Sequence, residues 1–246
     1  MSETAFQSYA SKVDAYVAGR PEYPAALLAE LPDVEFAIDV GAGTGISTEF
    51  VSLKARKVLA VEPVESMAKR IPVERLSNVD VAIAGAEAIP ALDGKAGLVT
   101  CATAFHWFDY EMATAEFLRV LAPGGSLALI WNVRDSRVPW VAKFDAVMDS
   151  YAGDTPRQST GKWRRIFGDH RFQHMTSQTY SYTKAMPTSG IVDRALSTSF
   201  IAALTVANQE VVRQQIQRII DEEPSLGDQG QAIFPYVTEL YLFRKR

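Results

Sequence analysis

Short, solid apolar runs punctuate the first half of the chain and are separated by longer stretches of mixed polarity. Five of them, Phe36–Val40, Lys57–Val61, Val79–Ala84, Leu98–Phe105 and Ser126–Trp131, are rich in β-branched and aliphatic residues and bounded by Gly, Pro or Asp. Runs of this kind, lacking an alternation of apolar and polar positions, predict strands buried on both faces of a parallel sheet. Helical spacing fills the intervals. Ile46, Phe50 and Leu53 share one helical face and predict the first crossover helix. Asp109 is placed to cap a second helix, with Phe117, Leu118 and Leu121 facing the sheet and Ala122-Pro-Gly-Gly125 ending it. Strand and helix in alternation with short turns predict an α/β fold with a doubly wound, mostly parallel, Rossmann-like sheet.

Two regions depart from that alternation. Residues 1–34 precede the first strand and carry the aromatic, proline-punctuated segment Tyr16-Val-Ala-Gly-Arg20-Pro-Glu-Tyr23-Pro24, read as an N-terminal helical lid. Residues 133–231 hold helical patterns near 139–151, 187–203 and 206–223, with a strand near Phe172–Lys184. This region reads as remaining core elements plus a helical cap over the carboxyl edge of the sheet, where ligands of such folds bind. Residues 35–132 form the cofactor-binding core, and 232–246, with the alternating stretch 236–243, a final core strand.

The chemistry concentrates at two strand ends. Residues 38–45 read Ile-Asp-Val-Gly-Ala-Gly-Thr-Gly, and Glu62 closes the next apolar run. A strand, a glycine turn, a helix, and a carboxylate at the tip of strand two form the layout of a nucleoside-cofactor site, the acid accepting from ribose hydroxyls. Glycine also suits any tight strand-to-helix turn, since positive φ carries no Cβ penalty there. A dinucleotide fingerprint wants a third glycine where this chain has Ile46.

Composition narrows the partners. Across 246 residues, 48% are hydrophobic and 22% charged, as in a globular chain with a sizeable core. The net charge of −4 supplies no general attraction to nucleic acid. Cys101 is the single cysteine, which excludes intramolecular disulfides and cysteine-based zinc sites, and no metal site is expected. Cys101 lies in an apolar run and reads as a buried structural thiol. No run approaches the ~20 apolar residues of a membrane span, and Met1-Ser-Glu-Thr lacks the basic start and apolar stretch of a signal peptide. A cytoplasmic protein without membrane or nucleic-acid partners is expected.

The ordered set of motifs resembles the class I S-adenosylmethionine-dependent methyltransferases of the small-molecule type, especially the trans-aconitate methyltransferase-like branch. Its pieces are Tyr16…Arg20-Pro-x-Tyr23-Pro24, Asp39-x-Gly-x-Gly-x-Gly45, Glu62-Pro63, Ala86-Glu87-x-Ile-Pro90, Ala104-Phe-His106-Trp107-Phe-Asp109, Leu121-x-Pro-Gly-Gly125 and Trp131-Asn132. The resemblance implies a seven-stranded sheet, S-adenosyl-L-methionine as cofactor and a small-molecule methyl acceptor. Gly85 and Gly97 stand where many relatives carry acids.

Carried over residue by residue, the resemblance places Tyr16, Arg20, Asp39, Gly41, Ala42, Gly43, Gly45, Glu62, Pro63, Ala86, Glu87 and Thr103 around the cofactor. It places His106, Trp107, Trp131 and Trp163 around the acceptor. The residues leave several alternatives open. Asp39 stands near the cofactor's ammonium or satisfies N–H groups of the turn. Glu87 contacts the cofactor or caps a helix. His106 is a general base or an orienting group. Tyr16 and Arg20 close over the cofactor's carboxylate, or simply punctuate two helices. Trp107 stacks on a ligand or packs the core. The basic stretch Arg157–Arg171 around Trp163 is an acidic-substrate handle or a solvated face. Two rival functions share this logic: a nicotinamide-dependent oxidoreductase, and a cofactor-binding protein without catalysis.

Overall fold

The computed structural model describes residues 23–227 and 230–246. Seven strands form one sheet in the order β3-β2-β1-β4-β5-β7-β6: β1 Val34–Val40, β2 Ala55–Val61, β3 Val79–Ala82, β4 Ala96–Ala102, β5 Leu121–Arg134, β6 Phe172–Pro187 and β7 Gln231–Lys245. The pairs β1–β2, β2–β3, β1–β4 and β4–β5 are parallel. From β1 the chain winds outward to β2 and β3, then returns to lay β4 on the other side of β1. That reversal between β1 and β4 is the switch point at which open α/β sheets bind ligands.

The main helices are α1 Ile46–Ser52, α2 Tyr110–Val120, α3 Pro139–Ser150, α4 Thr188–Leu196 and α5 Val206–Glu222. Two compact units emerge among the described residues. One comprises residues 23–132, 156–180 and 238–246; the other comprises 133–155 and 181–237, less the undescribed 228–229. The first contains the switch point. Its core includes Leu27, Leu31, Ala37, Val51, Val58, Leu98, Ile130 and Leu240. The second is built on Phe144, Ile191, Val212, Ile216 and Phe234, with the Phe234 ring meeting Phe144 edge-on at 5.5 Å.

Several expected boundaries shift, each for a physical reason. Ala25–Glu30 form a short helix whose Leu27 is buried in the core of the first unit, as is Leu31 four residues later. In α1 the buried side chains are Ser47, Thr48, Phe50 and Val51, whereas Leu53 is 70% exposed. The predicted face is rotated because Ser47 and Thr48 turn inward to a buried acid. β4 stops at Ala102, because Thr103 turns the chain with φ of +55°. Phe105 therefore sits in a short helical turn, Phe105–Trp107.

Asp109 does cap α2, its side chain accepting from the Met112 N–H at 3.0 Å. The helix ends at Val120, and Leu121 is already extended, so the buried face is Ala113, Thr114, Phe117 and Val120. The Pro-Gly-Gly stretch is absorbed as an irregularity of β5, where pairing jumps from Ala96↔Leu121 to Leu98↔Ser126.

Candidate cofactor site

The loop after β1 is shaped by three glycines with positive φ: Gly41 at +73°, Gly43 at +59° and Gly45 at +94°. They meet different neighbours. A Cβ on Gly41 would lie 2.5 Å from the Ala104 Cβ, so the loops after β1 and β4 touch there. One on Gly45 would press on Ile71 and Pro72 at 3.1–3.2 Å. At Gly43 the nearest atom is the flexible Met67 Cε at 3.4 Å. Gly41 and Gly45 thus serve close packing of the protein on itself, and Gly43 is the glycine with room beside it.

Glu62, at the tip of β2, is buried. Its Oε2 accepts from the Gly43 N–H at 2.8 Å and its Oε1 from the Val64 N–H at 2.9 Å. A carboxylate offers about four lone-pair positions, so these two bonds hold the loop while leaving acceptor capacity. Burial raises the Glu62 pKa, the two amide bonds lower it, and the charge of Asp39 raises it further.

Asp39 lies inside β1 with no solvent exposure. Its Oδ2 accepts from Ser47 Oγ at 2.7 Å and Thr48 Oγ1 at 2.8 Å, and its Oδ1 from Thr100 Oγ1 at 2.8 Å. The turn-capping role does not describe this arrangement. The acid is satisfied by three hydroxyls that tie β1 to α1 and β4, and not by N–H groups of the turn. Burial still dominates and raises its pKa. Cys101 is also fully buried, and that burial holds its thiol well above the ordinary range, as expected of a structural residue.

Between β3 and α2, Ala86 is buried and Glu87 serves as a brace, its Oε1 accepting from the Asp109 N–H at 3.0 Å. The same loop is clamped by α2. Glu116 accepts from the Ile89 N–H at 2.9 Å, and Arg119 donates to the carbonyls of Ile89 and Ala91, both at 2.8 Å. Arg119→Ala is expected to release this loop without unfolding the chain. Amide exchange around residues 86–91 should then accelerate while the strands remain protected. Unchanged exchange there would show that Arg119 does not hold it.

Past β4, Thr103 is the one non-glycine residue of positive φ among the described residues, a conformation a β-branched side chain resists. Strain of this kind collects at functional sites. The turn that follows carries His106 and Trp107, both half-buried, with ring centroids 5.4 Å apart. His106 Nδ1 accepts from Trp131 Nε1 at 3.1 Å. An indole nitrogen is only a donor, so a neutral His106 carries its proton on Nε2. The Nδ1 lone pair is thus engaged by the Trp131 indole.

Trp131 and Trp163 pack on each other. Both are buried, their ring centroids are 4.4 Å apart, and Tyr241 packs against the pair. The basic stretch is largely solvated, with Lys162, Arg164 and Arg165 exposed, and several of its cations are engaged. Arg164 lies over the Trp163 ring, Arg165 lies 3.7 Å from the Tyr110 ring centre and pairs with Glu111, and Arg171 grips Asp169 through two nitrogens. That grip lowers the Asp169 pKa to about 2.

Tyr16 and Arg20 lie outside the described residues. Tyr23 is half-buried, with its ring 6.0 Å from Phe50 and its hydroxyl 3.4 Å from Thr103 Oγ1. Ala42 is buried within the loop and Pro63 follows Glu62 directly. Among the described residues no cluster of His, Cys, Asp or Glu could hold a metal ion, and no helix is long and apolar enough to cross a membrane.

Sequence reasoning passed over Ser47, Thr48, Thr100, Glu116 and Arg119. Ser47 and Thr48 left a signal, two adjacent hydroxyls on the first turn of a helix expected to be apolar. Thr100 left none, since it meets Asp39 only through the β1–β4 register, which pairs the two residues.

A doubly wound sheet with a glycine loop and a strand-two acid at its switch point is a nucleoside-cofactor architecture, which the class I methyltransferases share. Residues 38–129 match a family model described as a methyltransferase domain. An uncharacterized methyltransferase-like protein of Schizosaccharomyces pombe is 32% identical over 97% of this chain and 96% of its own length. A Mycobacterium tuberculosis protein, described as an uncharacterized methyltransferase, is 29% identical over 94% of this chain and 93% of its own. The chain belongs to the methyltransferase family.

Solved structures agree on the fold. A candidate type II methyltransferase of Anaeromyxobacter dehalogenans superposes with a TM-score of 0.60 at 22% identity, covering 92% of this chain and 96% of the other. A geranyl diphosphate C-methyltransferase of Streptomyces coelicolor, solved with S-adenosyl-L-homocysteine, gives 0.51 at 16% identity, covering 90% and 75%.

Proposed function

We propose that this protein binds S-adenosyl-L-methionine and transfers its methyl group to a small-molecule acceptor by direct in-line displacement. The observation that carries this reading is the contact between Glu62 and the Gly43 N–H, which fixes the strand-two acid beside the one loop glycine with open space. The residues suit the group. Glu62 keeps acceptor capacity for ribose hydroxyls, Gly43 lets backbone approach, and the Thr44 hydroxyl is buried in the loop without a partner. The ordered motifs point, within the family, to the trans-aconitate methyltransferase-like branch.

The cofactor supplies a methyl already activated on a sulfonium, so the protein's contribution is alignment and exclusion of water. Glu62 and the Gly41–Gly45 loop would hold the nucleoside, with Pro63 and Ala86 beside it. The turn bearing His106 and Trp107 would orient the acceptor. Nicotinamide chemistry is the weaker reading. Where a dinucleotide fold wants its third glycine, Ile46 opens α1, and that helix turns Ser47 and Thr48 onto Asp39. Mass-spectrometric detection of methylated products across a metabolite panel tests the activity. Binding of the cofactor with no product from any acceptor class would favour a catalytically silent binder.

The two buried acids give this reading a pH signature. Asp39 and Glu62 both have raised pKa values in the folded chain. Raised carboxylates add stability that is full below the unfolded pKa and is lost as pH rises through the folded one. A cationic ligand lowers both values again, so its binding should release protons at mildly acidic pH and tighten as pH rises through the folded values. Calorimetry in buffers of different ionisation heat should register this release for S-adenosylmethionine, and less of it for S-adenosylhomocysteine, which lacks the sulfonium charge. Equal proton release for the two ligands would show that the acids do not respond to the sulfonium.

A further inference from the structure

We propose that β6 is a self-association edge, on which a second copy of this chain pairs antiparallel about a two-fold axis and continues the sheet. Neither cofactor nor acceptor enters this pairing. Among the described residues β6 ends the sheet order, with β7 beside it. An edge strand offers a row of main-chain N–H and C=O groups to any strand that reaches it, and natural sheets blunt such edges by shortness, charge or proline. The opposite edge is blunted in this way. β3 has only four residues, Val79–Ala82, and its Asp80 pairs with Lys57 at 2.8 Å. β6 has 16 residues, and from Gln173 to Thr183 it contains no Asp, Glu, Lys, Arg or Pro.

Burial shows that the chain leaves this stretch uncovered. Within the first unit, Gln173, His174 and Met175 are consecutive and exposed, as are Ser177, Gln178 and Thr179. Neighbours along a strand point to opposite faces, so both faces are open there, with Met175 41% exposed. The polar side chains find partners on their own strand. His174 Nε2 lies 2.9 Å from Ser177 Oγ, and Gln178 Nε2 donates to Thr176 Oγ1 at 3.3 Å. Charge selects the occupant. In an isologous pair the residues near the two-fold axis face their own copies, so a charge there would oppose itself. The Thr, Ser, Gln and Tyr residues of this stretch meet no such conflict, and Thr and Ser hydrogen-bond across antiparallel strands. A partner of opposite charge would call for ionic groups on the strand. Charged residues make up 22% of the chain, yet none lies between Gln173 and Thr183.

Analytical ultracentrifugation of the full chain over a dilution series, with amide exchange at each end of the series, tests the pairing. The wild-type protein should show a monomer–dimer equilibrium that stops at the dimer, and exchange over residues 173–180 should slow as the concentration rises. A protein that stays monomeric up to about 100 μM, where a micromolar dimer would be well populated, would overturn the proposal. So would amides over 173–180 that are fully protected in the monomer, because the edge would then be covered within one chain. Ser177→Lys combined with Thr179→Lys sets two exposed charges on one face of the strand. It should weaken dimerisation at least tenfold, although it brings the net charge of −4 closer to zero and so reduces general repulsion. The matching double glutamate variant should also dissociate, and mixing the two variants should restore a dimer by setting opposite charges along the seam. A lysine variant that dimerises like the wild type, or a mixture that stays monomeric, would place the contact elsewhere. The wild-type measurements decide the matter even where a variant fails to fold.

Discussion

Replacing Glu62 with alanine is expected to abolish useful cofactor binding and to loosen the loop that forms the site. The carboxylate accepts the Gly43 and Val64 amides in a buried setting. Its loss leaves two buried N–H groups without acceptors, at about 1–3 kcal/mol each where water cannot replace it. The bonds it would make to ribose hydroxyls are worth a further ~1.5–3 kcal/mol, or roughly tenfold to a hundredfold in affinity. Thermal denaturation and ligand titration separate the two effects. Glu62→Gln keeps the shape and one acceptor, so it should recover part of the stability but little of the affinity. A Glu62→Ala protein that melts and binds like the wild type would show that the acid supports neither loop nor ligand.

The second large effect separates two glycines that the sequence leaves equivalent. Gly41→Ala should damage the fold. Its Cβ would sit 2.5 Å from the Ala104 Cβ, with both groups on backbone that cannot swing away, at a φ of +73°. Overpacking of this kind costs about 1–3 kcal/mol, and the left-handed conformation about 1–2 more. Gly43→Ala meets only the mobile end of Met67 at 3.4 Å. It should fold with little more than the conformational cost and lose cofactor affinity by at least tenfold, because the methyl group occupies space the ligand needs. Urea denaturation and cofactor titration of the two variants should give opposite rankings. A Gly43→Ala protein that binds normally would show that the open side of this glycine faces no ligand.

The core strands, the main helices and the glycine loop were legible because each depends on local pattern. Continuous apolar runs mark buried strands, helical spacing marks crossovers, and Asp109 caps the helix its position announces. The fine structure of the site was not local. Asp39 is defined by Ser47, Thr48 and Thr100, and the last reaches it only through the pairing of β1 with β4. Trp131 reads as an aromatic available to a ligand, yet its partners Trp163 and Tyr241 lie on distant segments that return to the sheet and bury it. His106 reads as a base from its residue type. Its Nδ1 accepts from an indole N–H 25 residues away, on the next strand of the sheet. Sequence proximity carried the fold, and tertiary pairing decided which polar group does what.

Calorimetric titration of the intact protein with S-adenosyl-L-homocysteine and, separately, with NADH tests the central claim most directly. The account predicts saturable one-to-one binding of S-adenosyl-L-homocysteine, greatly weakened in Glu62→Ala, and no heat of binding with NADH. Tight NADH binding, with silence toward S-adenosyl-L-homocysteine, would contradict it.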